Sequence, residues 1–491
     1  MGTDPLVTGL AIIGIVIVVS ALLSGLIDKT GLPQVAVFIC IGAALGPAGL
    51  GIFDMTLESP ILRVVATLSL TLVLFTDAVS LNTSEVKRHA GLAFRMLGPG
   101  TILCAALTAL AAWWLLQIPA ALAAILGAAL ASTDPVLLRG LLRRRDISSE
   151  TRLALQLESG LNDVVLLPIV VVAIALTNHH AGGFGKLGLG LFVLGPGAGI
   201  AVGLIGVAAL DLIRKRIGVR RDYESLYSLG VAFTAYAAAE AVHGSGFLAA
   251  FAAGLTIAAL DVELCDCFIE YGGVTAEMLL LFTFVIFGSS LIWSGFSGLD
   301  APTLIFVAIA VLVRVPVYLL TLLGSNVNRR GRLIIAWFGP SGLSSLLLVL
   351  LPVFAGVPGS DRLFRICALI VLISVVLHGG TPMLLARIAR KRESEVEPPT
   401  PEPPERLQEP RSLPVIEPSQ PVGTQIVTLE ELDRLQKSGE EVIVLDVRTE
   451  RSRDTSDSQA EGSVRIVPEN VVAQARELRL PKEAWLIAYC A

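Results

Sequence analysis

The stretch LESGLNDVVLLP, Leu157–Pro168, sets Glu158, Ser159, Asn162 and Asp163 inside a run otherwise apolar enough for lipid. A carboxylate at the centre of a membrane span costs about 2.5–3.5 kcal/mol on insertion scales, so such residues persist mainly beside a partner or an aqueous path. The chain around this stretch has the same apolar character. Of its 491 residues, 54% are hydrophobic and 16% charged, against roughly 25% charged in a soluble domain. Apolar runs near the roughly 20 residues that cross hydrocarbon as a helix follow one another from Leu6 to Ile388.

About thirteen spans satisfy the hydropathy criterion, which predicts an all-α polytopic membrane fold. The first, 6–27, lacks a basic leader and a small-residue cleavage site, so it reads as a span and not as a removed signal peptide. Lysine and arginine collect in alternate gaps: Lys87, Arg88 and Arg95, then Arg143–Arg145, Arg214–Arg216, Arg329–Arg332 and Arg387–Arg392. Cytoplasmic loops carry that excess, which puts the N-terminus outside and the C-terminus in the cytoplasm. Thirteen spans also permit two six-helix groups of inverted topology. Spans five (119–140) and twelve (333–356) then correspond, and both carry helix breakers: Pro135 in one, Gly339, Pro340 and Gly342 in the other. Matched interruptions of this kind point to a transporter's binding site, because broken backbone at membrane depth needs a wet or ion-filled surrounding.

The expected organisation is a membrane domain at 1–390, a Pro/Glu-rich linker at 391–423, and a small α/β segment at 424–491. The six cysteines form no zinc spacing or disulfide framework. No cofactor and no nucleic-acid partner is expected.

Four acids fall within spans: Asp77, Asp134, Glu158 and Asp163, with Arg314 of span eleven as a cationic partner. Helical spacing sorts the span-six group. Ser159 and Asp163 share one stripe and Glu158 and Asn162 the adjacent one. A hydroxyl and a carboxylate are hard oxygen ligands for a small cation. Asp134 and the carbonyl of Thr133, freed before Pro135, would add oxygens from span five. Desolvation favours a carboxylate's neutral form, so proton and cation can compete for Asp163. If the site reorients only when that charge is neutralised, coupled antiport results. Neutral Asn162 predicts one proton per monovalent cation.

STDPV (132–136) followed by ESGLNDVV (158–165) resembles the NhaP-type cation/proton antiporters, the electroneutral branch that includes the animal sodium/proton exchangers; LVLFTDAVSL and WFGPSGLSS are similar to further family segments. The resemblance spans roughly residues 6–390. It implies Asp163 as the cation and proton carrier, with Thr133, Asp134 and Ser159 as ligands or near-ligands and Asn162 as the neutral member. Glu158 and Arg314 become a structural ion pair, and Asp77 lies on the cation's approach or just behind its ligands. A homodimer in the inner cell membrane is implied, its core domain moving against a dimerisation domain. The chain departs from the family at Ser341, where an arginine is common.

The tail resembles a rhodanese domain over residues 424–491: VIVLDVR carries Asp446 and Arg448, and LIAYC puts Cys490 at the persulfide position. The amide cradle that would follow and lower the thiol's pKa is missing from this sequence, so no sulfur-transfer turnover is expected of it. Two alternatives stay open: a cation channel, and a membrane-anchored sulfurtransferase or sulfur-sensing regulator.

Overall fold

The computed structural model describes residues 34–395 except 53, 82–85, 87, 143–146, 178–184, 186–187, 218–220, 261–272, 298 and 326. It also describes 14, 18, 19 and 22, and in the tail 442–447, 462–466 and 484–489 with isolated neighbours. Most of the first expected span, His179 and His180, Cys265 and Cys267, the arginines at 143–145, most of the linker, Arg448 and Cys490 lie outside the described residues. The chain divides into two compact units, Met1–Pro399 and Thr400–Ala491.

Among the described residues of the first unit, every regular element is helical. Its helices are α1 (Gln34–Leu45), α2 (Pro60–Ser80), α3 (Ala90–Leu116), α4 (Ala120–Ala131), α5 (Pro135–Leu142), α6 (Ser149–Thr177), α7 (Gly190–Arg216) and α8 (Arg221–Ala241). They continue as α9 (Gly246–Leu260), α10 (Gly273–Ile286), α11 (Ala301–Leu312), α12 (Arg314–Thr321), α13 (Arg329–Trp337), α14 (Leu343–Phe354) and α15 (Ser360–Glu395). Among the described residues, seven helical stretches are long and apolar enough to cross a membrane, and four apolar helices are shorter. This is the polytopic helical fold the hydropathy pattern predicts.

Local chemistry explains where these helices start, stop and bend. Asp300 accepts from the amide of Thr303 (2.9 Å) at the start of α11, and Asn328 accepts from that of Gly331 (2.6 Å) at the start of α13. Each satisfies one of the amides a helix N-terminus leaves unpaired. Pro99 lies inside a π turn of α3 at Met96–Thr101, where its missing N–H costs the regular ladder a bond. Pro316 similarly has no N–H to give the Leu312 carbonyl, and a short break at Val313, where the backbone stays helical, separates α11 from α12. Helix α15 runs on through residues 391–395, into the segment read as linker. Lys391, Arg392 and Glu393 are good helix formers, and the next proline after them is Pro398.

Fifth and twelfth spans are both interrupted. Helix α4 gives way to extended backbone at Ser132 (φ −68°, ψ 135°) before α5 begins at Pro135. Helices α13 and α14 are separated by residues 338–342.

Glycines set several helix seams. A Cβ built at Gly42 of α1, or at Gly46 just after it, would strike the backbone of Val285, Gly288 or Ser289, and one at Gly288 would strike that of Ile39. A Cβ at Gly199 of α7 would strike the Ala249 backbone of α9, and one at Gly254 of α9 would meet Phe75 and Ala78 of α2. Only glycine permits backbones to approach this closely.

In the second unit, three strands, β1 (Val442–Asp446), β2 (Val464–Arg465) and β3 (Trp485–Tyr489), form a parallel sheet in the order β2-β1-β3. Asp446 is buried there.

Candidate functional site

A helix interruption leaves carbonyls and amides that an apolar interior cannot satisfy. Here the two interruptions satisfy each other. The amide of Asp134 donates to the carbonyl of Pro340 (2.9 Å), and the amide of Leu343 donates to Asp134 Oδ2 (2.8 Å). Ser341 donates to the carbonyl of Leu130 (3.2 Å), and Ser345 to that of Ser132 (3.3 Å). Asp134 therefore caps α14, and a Cβ at Gly342 would overlap its carboxylate.

Helix α6 brings its polar group to this crossing. Asp163 is 2% exposed and Asn162 fully buried. The hydroxyl of Ser132 donates to Asp163 Oδ1 at 2.5 Å, the Ser344 side chain lies near enough to act on the same carboxyl, and Asp134 is close enough to interact electrostatically. Asn162 donates from Nδ2 to Thr133 Oγ1 (2.8 Å), while its Oδ1 is buried without a hydrogen-bond partner among the described residues. Ser159 is buried and donates along its own helix to the carbonyl of Gln156 (3.5 Å). Asp77 lies near the end of α2 and is partly buried.

Glu158, on the adjacent stripe, has a different environment. Its two oxygens take Nη1 and Nη2 of Arg314, each at 2.5 Å. Tyr318, one turn along α12, donates to Glu158 Oε1 (3.0 Å), and its ring lies 4.1 Å from the Arg314 guanidinium carbon. The Tyr318 hydroxyl also meets that of Thr101 (3.3 Å), beside the π turn. Nη2 of Arg314 further donates to the carbonyl of Ile335 in α13 (3.0 Å). Burying two charges is tolerable only with such extensive bonding; of the guanidinium nitrogens, Nε alone has no hydrogen-bond partner among the described residues. Gly339 packs flat on the guanidinium, where a side chain would overlap it.

Beside this pair is a small cavity of about 20 Å³, with Thr108, Thr133, Arg314, Ser341, Ser374 and His378 in its lining. Ser341, at the position of the family's common arginine, thus borders a polar space.

Asp163, Asp134, Thr133 and Asn162 are gathered at the crossing, Glu158 and Arg314 pair beside it, and Asp77 stands on a neighbouring helix. Ser132, Ser344, Ser345 and Tyr318 were not singled out from the sequence. Tyr318 had a usable signal, four residues after Arg314 and so on the same helical face. Among the described residues, no cluster of three or more His, Cys, Asp or Glu is placed to hold a metal ion. Two carboxylates with neutral oxygens instead suit a weakly charged, exchangeable ion.

The family model for the transmembrane region of the sodium/hydrogen exchangers matches residues 15–387. The chain belongs to the sodium/hydrogen exchanger family. Within the curated proteins this exchanger-family chain is 25% identical over 384 residues to the K(+)/H(+) antiporter NhaP of Alkalimonas amylolytica, covering 77% of this chain and 66% of that one. It is 26% identical over 381 residues to the K(+)/H(+) antiporter NhaP2 of Shewanella sp. (strain MR-4), covering 76% and 65%. The match thus spans just under two thirds of these relatives' length. The exchanger fold is shared with the sodium proton antiporter MjNhaP1 of Methanocaldococcus jannaschii, with a TM-score of 0.63 and 20% identity over 77% of this chain and all of that one.

Proposed function

We propose that this multi-pass membrane protein is a secondary antiporter that exchanges protons for sodium or potassium by alternating access. The observation that carries the reading is the placing of two buried carboxylates, Asp134 and Asp163, where two interrupted helices cross, beside an amide oxygen of Asn162 that has no partner among the described residues. Asp163 is the carrier. In one state its carboxylate and neighbouring oxygens hold the dehydrated cation; in the other a proton neutralises it. Thr133, Asp134, Ser159 and Asn162 are ligands or near-ligands, and Asp77 lies on the approach. Glu158 and Arg314 act structurally, since their charges already satisfy one another. With Asn162 neutral, one proton exchanges for one monovalent cation. The potassium named for the two bacterial relatives and the sodium named for the archaeal structure both support an alkali cation.

The same reading makes the protein a homodimer in the inner cell membrane, with the N-terminus outside and the C-terminus in the cytoplasm, on the evidence of its alternating basic loops. In proteoliposomes, added sodium or potassium should drive protons across the membrane, seen as dequenching of an enclosed pH-sensitive dye. Asp163→Asn should abolish the signal. Exchange at the wild-type rate in that variant refutes the assignment.

A further inference from the structure

Four buried serines belong to the interrupted spans, and they divide by what they bond. Ser341 and Ser345 donate to backbone carbonyls, those of Leu130 and Ser132. Ser132 and Ser344 instead address the Asp163 side chain. They reach it from opposite partners of the crossing, one from the extended link after α4 and one from the first turn of α14. Ser132 is fully buried and Ser344 is 3% exposed. The hydroxyl of Ser159 is directed along its own helix.

We propose that Ser132 and Ser344 determine which alkali cation the site prefers, donating to the Asp163 carboxylate when the site is empty and offering a bound ion their oxygen lone pairs. The proposal rests on the reading of Asp163 as carrier. A hydroxyl has one donor and two acceptor lone pairs, so each serine can hydrogen-bond the carboxylate and still face a cation. Spacing matters for discrimination, and the spacing here is fixed. Ser345 holds the carbonyl of Ser132 and is the immediate neighbour of Ser344, while Asp134 caps α14 one residue before it. The two hydroxyls are therefore held by the same hydrogen bonds that join the breaks. A cavity of set oxygen spacing replaces the hydration shell better for one ion size than another.

The test measures apparent KM and kcat for lithium, sodium, potassium and rubidium in proteoliposomes, for wild type, Ser132→Ala, Ser344→Ala and Ser344→Thr. Loss of a bond to a charged group corresponds to about tenfold or more in affinity. Ser344→Ala should raise the apparent KM for the preferred ion by about that factor, with kcat changed less. The smaller ions, which need most compensation for lost water, should suffer most. Threonine at 344 keeps the hydroxyl and should restore the order. Should Ser132→Ala fail to fold, the Ser344 pair decides alone. An unchanged order of preference, or one common factor for all four ions, overturns the proposal. Asp163→Asn in the same assay separates the two readings: silence there with an unchanged ion order in Ser344→Ala sinks only the serine proposal, whereas persistent exchange in Asp163→Asn sinks the carrier assignment.

Discussion

Asp134 caps a helix that is not its own: its carboxylate accepts the amide of Leu343, 209 residues away, at 2.8 Å, while its own amide donates to Pro340 at 2.9 Å. One residue thereby ties the two interruptions together in both directions. It also carries a charge within reach of Asp163. Its structural and ionic roles are separable by substitution.

Asn at position 134 retains an oxygen for the Leu343 amide but lacks the charge. Asp134→Asn should therefore remain folded and monodisperse yet lose most cation-driven proton movement. Asp134→Ala should also be destabilised by about 1 kcal/mol for the lost cap, and more if the amide stays buried and unpaired. Thermal unfolding in detergent, run beside the flux assay, distinguishes them.

The Glu158–Arg314 pair should behave as a unit. Removing either charge alone, as in Glu158→Gln or Arg314→Met, leaves the other buried and should cost about 3–5 kcal/mol. The double variant should be less damaged than the sum of the singles, a coupling that a double-mutant cycle on unfolding midpoints reads directly.

Glycine positions predict opposite outcomes for one chemical change. At Gly342 an added methyl overlaps the Asp134 carboxylate, so Gly342→Ala should impair both folding and exchange. Gly230, in α8, faces open space. Gly230→Ala should be neutral or stabilising by up to about 1 kcal/mol. Expression yield, melting temperature and flux of the two variants provide the comparison.

Thr303, through its side chain and its amide, holds the Asp300 carboxyl below the usual carboxylate range. A lowered folded-state pKa contributes stability that is fully present above the unfolded value, about 3.9, and is lost as pH falls through the folded one. Asp300→Ala should thus lower the melting temperature equally at pH 6 and pH 8. The gap to wild type should close only below about pH 4. A gap that varies between pH 6 and pH 8 contradicts the cap assignment.

Much of this architecture is written locally in the chain. Pro135 and the Gly339, Pro340, Gly342 group punctuate apolar runs, so both interruptions were legible before any coordinates. A buried Glu158 requires a cation, and Arg314 was a candidate within a span. The partners of Asp163 were not legible in the same way. Helical periodicity proposes Ser159, four residues away on the same stripe, but it carries no information about helices that cross. Ser132 lies 31 residues from Asp163 and Ser344 on the other interrupted span, so only their meeting in space reveals them. The end of α15 is not legible for another reason: a charged sequence suggests solvent but does not forbid helix, and the next proline after Lys391 is Pro398.

The glycine contacts between α1 and the turn after α10, and between α7, α9 and α2, have a mechanical consequence. Backbone resting on backbone has no side-chain rotamers to give, so those helices resist sliding past one another. Under the proposed alternating access, each set should travel as one rigid body. The slip plane then falls across contacts made by flexible side chains, and a cross-link placed within a glycine seam should leave turnover untouched.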